Sequence, residues 1–205
     1  MNLKRLILGE LETNCYLVWG DNGEGIVIDP ADESEQIISA IEQKGIVVKS
    51  VVLTHVHFDH LLAAEAVCAY TAAPLLVGAD DEDALTDTSR NLSGWFSPSQ
   101  AVTIGKADLL REGDTITLGN DTLTVLETPG HTPGCICLLS GDTLFSGDTL
   151  FRSSIGRLDF PGGDVEAMRR SLERLLQLPD TTAVYPGHGP ATTIGTEKKY
   201  NPYLR

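Results

Sequence analysis

The segment Thr54-His55-Val56-His57-Phe58-Asp59-His60 sets three imidazoles and a carboxylate within six residues. It follows a valine-rich run, Lys49–Leu53, that reads as a strand, and precedes an apolar stretch, Leu61–Tyr70, that reads as a helix. Ligand sites in α/β proteins form outside the carboxyl ends of strands. Imidazole and carboxylate are donors that zinc and iron favour. Strand alternation puts His55 and His57 on one side, while Asp59 and His60 begin the next turn and can face a second ion.

The other histidines extend this pattern. The chain has five, and the two outside the cluster are His131, in Thr128-Pro129-Gly130-His131-Thr132-Pro133-Gly134, and His188, in Pro186-Gly187-His188-Gly189. Both stand in Gly/Pro loops directly after strand-like runs, as does Asp148 in Phe145-Ser146-Gly147-Asp148-Thr149. A lone histidine is more often a packed core residue. Five histidines, all in the cluster or at strand ends and accompanied by Asp59 and Asp148, point instead to metal binding.

Around these residues, short β-rich runs alternate with amphipathic stretches. Strands are expected at Leu3–Leu8, Cys15–Trp19, Gly25–Asp29, Leu75–Val77, Thr115–Leu118, Thr122–Leu126, Cys135–Leu139, Thr143–Ser146 and Ala183–Tyr185. Helices are expected at Asp32–Lys44, stopped by Gly45, and at Asp164–Leu178, stopped by Pro179. Two runs of strands, each with helices, suggest two sheets packed face to face with helices outside. Asp80–Lys106 is a long polar excursion carrying Trp95 and Phe96, and reads either as a lid or as a surface loop pinned by its aromatics.

Composition narrows the function. The 205 residues suit one domain, spanning 1–205. Lys and Arg total 15 against 29 Asp and Glu, a formal net charge of −14. Such a chain has no electrostatic reason to bind nucleic acid or an anionic membrane, although bound cations would reverse the sign inside a pocket. No apolar run is long enough to span a bilayer or to form a signal-peptide core. Cys15, Cys68, Cys135 and Cys137 show no CxxC spacing and read as reduced, packed thiols, so a cytoplasmic protein is expected.

The intact HxHxDH, followed in order by His131, Asp148 and His188, resembles the metallo-β-lactamase fold superfamily over nearly the whole chain. The strand at Asn14-Cys15-Tyr16 and the segment Leu144–Phe151, with Gly156 and Arg157, add to the likeness. Within the superfamily the chain looks most like the short glyoxalase II-like thioesterases, the hydroxyacylglutathione hydrolases. The resemblance implies an α/β fold: a four-layer αββα sandwich of two mixed β-sheets with helices outside. It also implies two divalent ions per chain, zinc first, with iron or manganese as alternatives. One ion would take His55, His57 and His131. The other would take Asp59, His60 and His188. Asp148 would bridge them, and Asp59 and Asp148 would be the catalytic carboxylates. The implied reaction is attack of a metal-bridging hydroxide on a thioester carbonyl, with S-lactoylglutathione or a related hydroxyacyl thiol as the small-molecule partner.

Two features depart from the full-length pattern. Leu62 stands where a glycine usually follows the motif, and Arg205 comes soon after His188, where full-length glyoxalase II continues into a helical domain that binds glutathione. Arg157, Arg152 and Trp95 are the candidate substrate contacts. Arg157 reads more readily as a buried ion pair or loop brace, and Arg90 is a weaker candidate. Thr54 is a candidate hydrogen-bonder behind the ligands. Cys135 and Cys137 are expected to pack, and Glu197-Lys198-Lys199 to form a solvated face. The alternatives within the superfamily are a mononuclear-iron persulfide dioxygenase, using His55 or His57 with His131 and Asp148, and a lactonase. β-Lactamases of this fold generally lack the bridging aspartate. Either a monomer or a homodimer is expected.

Overall fold

A computed structural model describes residues 1–96 and 101–204; residues 97–100, within the expected excursion, and Arg205 lie outside the described residues. The first sheet begins with strands β1 (Asn2–Leu8), β2 (Thr13–Trp19) and β3 (Glu24–Ile28) and continues through β4 (Val47–Leu53), β5 (Leu75–Gly78) and β6 (Asp108–Leu110). They lie side by side in chain order. The first three are antiparallel, and β3 to β6 run parallel. Parallel neighbours need crossovers. Helix α1 (Ser34–Lys44) joins β3 to β4 and ends at Gly45, whose φ of 63° provides the left-handed stop. Helices α2 (Phe58–Leu61) and α3 (Ala64–Thr71) join β4 to β5.

The second sheet holds β7 (Thr115–Leu118), β8 (Asp121–Glu127), β9 (Ile136–Ser140), β10 (Thr143–Gly147), β13 (Ala183–Pro186) and β14 (Thr192–Thr193). Its order is β14-β13-β10-β9-β8-β7, with only β10 and β13 parallel. Helix α5 (Val165–Leu175) makes that crossover. Its N-terminus is capped by Asp164, whose carboxylate accepts the Ala167 N–H at 2.8 Å. A short hairpin, β11 (Leu150–Phe151) and β12 (Ser154–Ile155), stands apart.

Period-two alternation sorts the strand side chains into layers. Tyr16, Val18, Ile26, Ile28 and Val52 meet Leu123, Val125, Ile136 and Phe145 between the sheets. Their sequence neighbours Cys15, Leu17, Val27, Val51 and Leu53 pack outward against α1 and α3. On the other side Cys137 and Leu144 pack against Met168, Leu172 and Leu175 of α5. Each fully buried Val, Leu, Ile or Phe contributes roughly 1.5–3 kcal/mol, so these layers hold the sandwich together. The result is the expected four-layer αββα arrangement. All four cysteines are free thiols, three of them buried. No helix of the described residues is long and apolar enough to cross a membrane.

Several expectations need correction. The single helix at Leu61–Tyr70 is two helices, because the chain turns at Leu62–Ala63. The excursion contains a 3-10 segment, Ala79–Leu85, and a turn of helix, α4 (Ser93–Phe96). Its base is tied down: Asn91 donates to the Val102 carbonyl at 2.9 Å, and the Phe58 N–H donates to the Asn91 carbonyl at 2.8 Å. Of the expected solvated face Glu197-Lys198-Lys199, the two lysines are exposed and Glu197 departs from it. The run lies in α6 (Ile194–Tyr200), where Glu197 is fully buried. The Glu197 carboxylate accepts the Ser153 N–H, the Thr192 hydroxyl and the Asn201 amide, fastening the tail to the body.

Candidate metal centre

Four loops meet at one edge of the sandwich, each leaving a strand at its carboxyl end. β4 leads into Thr54–His60, β8 towards His131, β10 into Asp148 and β13 into His188. Backbone bonds lock these loops together. The Ile136 N–H donates to the Thr54 carbonyl, Gly187 to Gly147, and Asn14 to Gly187, at 2.7–2.9 Å. Glycine is required where they cross most closely. A Cβ on Gly187 would lie 2.2 Å from Asp148 Oδ1, and one on Gly156 would lie 3.0 Å from His131 Cγ.

The seven side chains named from the sequence fall into one cluster. His55, His57 and His131 form one group of converging donor atoms. Asp59, His60 and His188 form another, and Asp148 lies with His55 and His60 between them. His55 Nε2 is 3.1 Å from His57 Nδ1, and His60 Nε2 is 3.3 Å from His188 Nε2. Asp59 Oδ2 stands 3.1 Å from His188 Nε2. Ligands bound tetrahedrally about 2.0–2.1 Å from an ion are about 3.3 Å apart, so these spacings suit ions between them.

Outward ring atoms of His55, His131 and His188 have acceptors, and His60 Nδ1 lies beside the Asp29 carboxylate without a hydrogen bond to it. His60 Nδ1 is 3.0 Å from Asp29 Oδ2, His131 Nδ1 is 2.7 Å from the Arg157 carbonyl, and His188 Nδ1 is 3.1 Å from the Leu11 carbonyl. His55 Nδ1 is 3.3 Å from the Thr54 hydroxyl, which donates to Asp29 at 2.7 Å. With an ion bound, these outward nitrogens would keep the ring protons and the Nε2 atoms of His55, His60, His131 and His188 would present lone pairs, whereas His57 turns Nδ1 towards His55 Nε2. His131 Nε2 and Asp148 Oδ1 are buried without a hydrogen-bond partner. Buried polar atoms rarely remain unsatisfied, and a cation between them meets the need. The residues present thus fit a pair of metal ions.

The electrostatics agree. Burial, then the neighbouring imidazoles, holds His55 and His57 well below the ordinary histidine pKa, in the neutral form a metal needs. Burial opposes a charge on His60, but Asp59, Asp148 and Asp29 outweigh it and push its pKa up to about 10. Burial also works against the Asp59 carboxylate, yet His60, His188 and the Thr13 hydroxyl pull it well below the carboxylate range. Without metal, protons on His60 and His188 balance these carboxylates, and a metal ion displaces them.

The substrate candidates are placed differently. Arg157 is exposed, pairs with Asp159 through two hydrogen bonds at 2.9 and 2.7 Å, and lies over the Phe160 ring at 4.2 Å. Its carbonyl, rather than its guanidinium, reaches a candidate ligand. Arg152 is exposed in the turn between β11 and β12. Trp95 and Phe96 are equally exposed, at 55% and 56%, and Phe96 is the one whose ring contacts lead towards the site. Phe96 stacks on Phe58 at 5.6 Å and meets Phe160 edge-on, and Phe160 in turn meets His57 at 5.7 Å.

Sequence reasoning missed Asp29 and Asp81. Asp81 is fully buried and accepts the Thr132 hydroxyl at 2.7 Å and the Gly134 N–H at 2.8 Å, flanking the His131 loop. Asp29 follows β3 directly, with a φ of 50°, and its place at the carboxyl end of a strand is the signal that could have found it.

The layered fold and the strand-end cluster define a metal-dependent hydrolase of the metallo-β-lactamase type. The model of the metallo-beta-lactamase superfamily matches residues 8–188, and the chain belongs to that superfamily. A probable metallo-hydrolase, YqgX, of Bacillus subtilis is 37% identical over 100% of this chain and 98% of its own length. The hydroxyacylglutathione hydrolase GloC of Haemophilus influenzae is 34% identical, again over 100% of this chain and 98% of its own. Among solved structures, the BLEG-1 B3 metallo-beta-lactamase aligns with a TM-score of 0.93 and 36% identity, covering 99% of both chains. TTHA1623 in a di-iron-bound form aligns at 0.87 and 36%, covering 98% of this chain and 100% of its own.

Proposed function

We propose that this protein is a dinuclear thioesterase acting on small hydroxyacyl thiols, with S-lactoylglutathione as the reference substrate. The observation that carries this is the position of Asp148. Its Oδ1 lies 3.5 Å from His60 Nε2 and its Oδ2 lies 3.6 Å from His131 Nε2, so one carboxylate borders both donor groups. His55, His57 and His131 would then hold one ion and Asp59, His60 and His188 the other, with Asp148 available to both. Zinc suits these nitrogen and oxygen donors, as do iron and manganese, and the di-iron form of TTHA1623 supports a pair.

Two divalent ions bound here would supply Lewis acidity towards an acyl carbonyl and acidify a water at neutral pH. The protein supplies the positioning. Thr13 donates to Asp59 Oδ2 at 2.9 Å and fixes that carboxylate. Asp29 orients His60, and the Arg157 and Leu11 carbonyls orient His131 and His188. As water forms the new C–O bond, the C–S bond breaks and its electron pair leaves on sulfur. A thiolate is a good enough leaving group that no strong general acid is needed. The products are a carboxylate, a thiol and any proton the solvent takes up. The similarity to GloC supports the thioester class, and free thiols throughout accord with the cytoplasm.

The similarity to BLEG-1 favours a second reading, β-lactam hydrolysis. Metal-replete protein assayed with S-D-lactoylglutathione and, in parallel, a cephalosporin separates the two. Thioester turnover that is lost in His188→Ala supports the proposal. Turnover of the cephalosporin alone favours the second reading, and turnover of neither these nor S-lactoyl N-acetylcysteamine by protein holding two ions rejects both.

A further inference from the structure

A cleft of about 260 Å³ opens beside Asp59. One wall is the β1–β2 turn, with Leu8, Gly9, Glu10 and Leu11; the other is Phe58, Leu62 and Phe96. Thr13 and Asp59 line its inner end, which makes the cleft continuous with the candidate metal centre. The Leu11 carbonyl in the same turn receives His188 Nδ1, so this wall also holds a candidate ligand. A thioester with its carbonyl at the metal centre can send one of its two substituents along this path.

The lining is apolar and aromatic, apart from its acids. Besides Asp59, the charged residues that line it are Glu10 and Asp32, and no lysine or arginine does so among the described residues. Asp32 packs against Gly9 and lies half-buried, where its charge is screened less than on an open surface. Ions at the centre would offset Asp59, a proposed ligand, but leave Glu10 and Asp32 uncompensated. The net charge of −14 adds to the negative potential. Arg157 is occupied with Asp159 and Phe160 and lines no part of this cleft.

We infer that this cleft is the subsite for the thiol half of the substrate and that it selects an apolar, cationic aminothiol over a carboxylate-bearing one. The inference rests on the thioesterase reading. Glutathione brings two carboxylates and is the less suitable thiol, whereas a cysteamine-type thiol carries an ammonium group to Glu10 and Asp32 on a short apolar stem.

The test uses charge-swapped thiols of similar size. S-lactoylthiocholine, whose quaternary ammonium cannot capture the acyl group, and S-lactoyl 3-mercaptopropionate are assayed with the metal-replete wild type and with the Glu10→Gln/Asp32→Asn double variant. In parallel, binding of S-benzylcysteamine and 3-(benzylthio)propionate is measured by calorimetry. Any direct ligation of a carboxylate to metal is common to both proteins, so the quantity that decides is the change in the cation-to-carboxylate ratio. The wild type should favour the cation by about five- to ten-fold in kcat/KM and in affinity, as two partly screened charges allow. The double variant should bring the ratio close to one while still unfolding cooperatively on heating. Equal ratios in the two proteins overturn the inference even if thioesters are hydrolysed. An amine preference in binding that the double variant abolishes, without hydrolysis of any thioester, leaves the subsite standing and rejects the thioesterase.

Discussion

The Asp81 carboxylate accepts the Thr132 hydroxyl at 2.7 Å across 51 residues of chain, with both groups shut away from solvent. It accepts the Gly134 N–H as well. The loop that carries His131 is thereby pinned to the 3-10 segment that follows β5.

Asp81→Ala removes the acceptor from two buried donors. The expected loss is about 2–6 kcal/mol of stability, since each stranded donor costs about 1–3 kcal/mol. Asp81→Asn keeps one oxygen and should lose less. The two variants are compared by denaturant unfolding and by zinc affinity. Unchanged metal affinity in a folded Asp81→Ala would show that this carboxylate does not position His131.

Asp29 accepts both the N–H and the hydroxyl of Thr54 at 2.7 Å, and His60 Nδ1 lies 3.0 Å from its Oδ2. An asparagine there turns an amide towards one of three donors. Asp29→Asn should weaken metal binding by about 10–100-fold, as loss of an outer partner does elsewhere. Chelator competition measures this, and wild-type affinity would contradict it.

What the sequence revealed and what it hid follow from locality. The HxHxDH cluster is compact, and its donors reach one site because one strand and one turn carry them. The layers were legible because alternation in Cys15–Trp19 and Lys49–Leu53 separates inward from outward side chains. Asp81 was hidden because it sits in an acidic run, and its partners lie 51 and 53 residues away. Glu197 was hidden for a similar reason: beside two lysines it looks solvated, but its Ser153 partner is 44 residues distant. Trp95 and Phe96 are equivalent in sequence, and only the path of α4 turns Phe96 towards Phe58.

Gly187→Ala tests the crowding between the last two loops. The new Cβ would fall 2.2 Å from Asp148 Oδ1 and 2.7 Å from His60 Cε1. Asp148 has to move, so turnover should fall by about 100-fold or more, because misplacement of about 1 Å is that costly. Metal analysis should show fewer ions in a protein that still melts cooperatively. Full activity would mean that Asp148 does not occupy the shared position.

Arg174 forms a bidentate pair with Glu112, at 2.8 and 2.6 Å, and fastens α5 to the loop before β7. Its hydrogen bonds hold the Glu112 carboxyl below the ordinary glutamate pKa. A depressed acid stabilises the fold above its unfolded pKa and loses that contribution as pH falls through the folded value. Both side chains are nearly half exposed, so the pair contributes no more than about 1 kcal/mol. Glu112→Gln should therefore be slightly less stable than wild type at neutral pH and converge with it in acid below the glutamate range. A gap that persists in acid would contradict the assignment.

The most direct test of the dinuclear centre is zinc titration of metal-free protein, with calorimetry, metal analysis and thioesterase activity followed together. Wild type should bind two ions per chain and recover full turnover only as the second fills. His188→Ala should stay folded, bind one ion and lose most turnover. A single ion per chain with full activity, or two ions and full activity in His188→Ala, would contradict it.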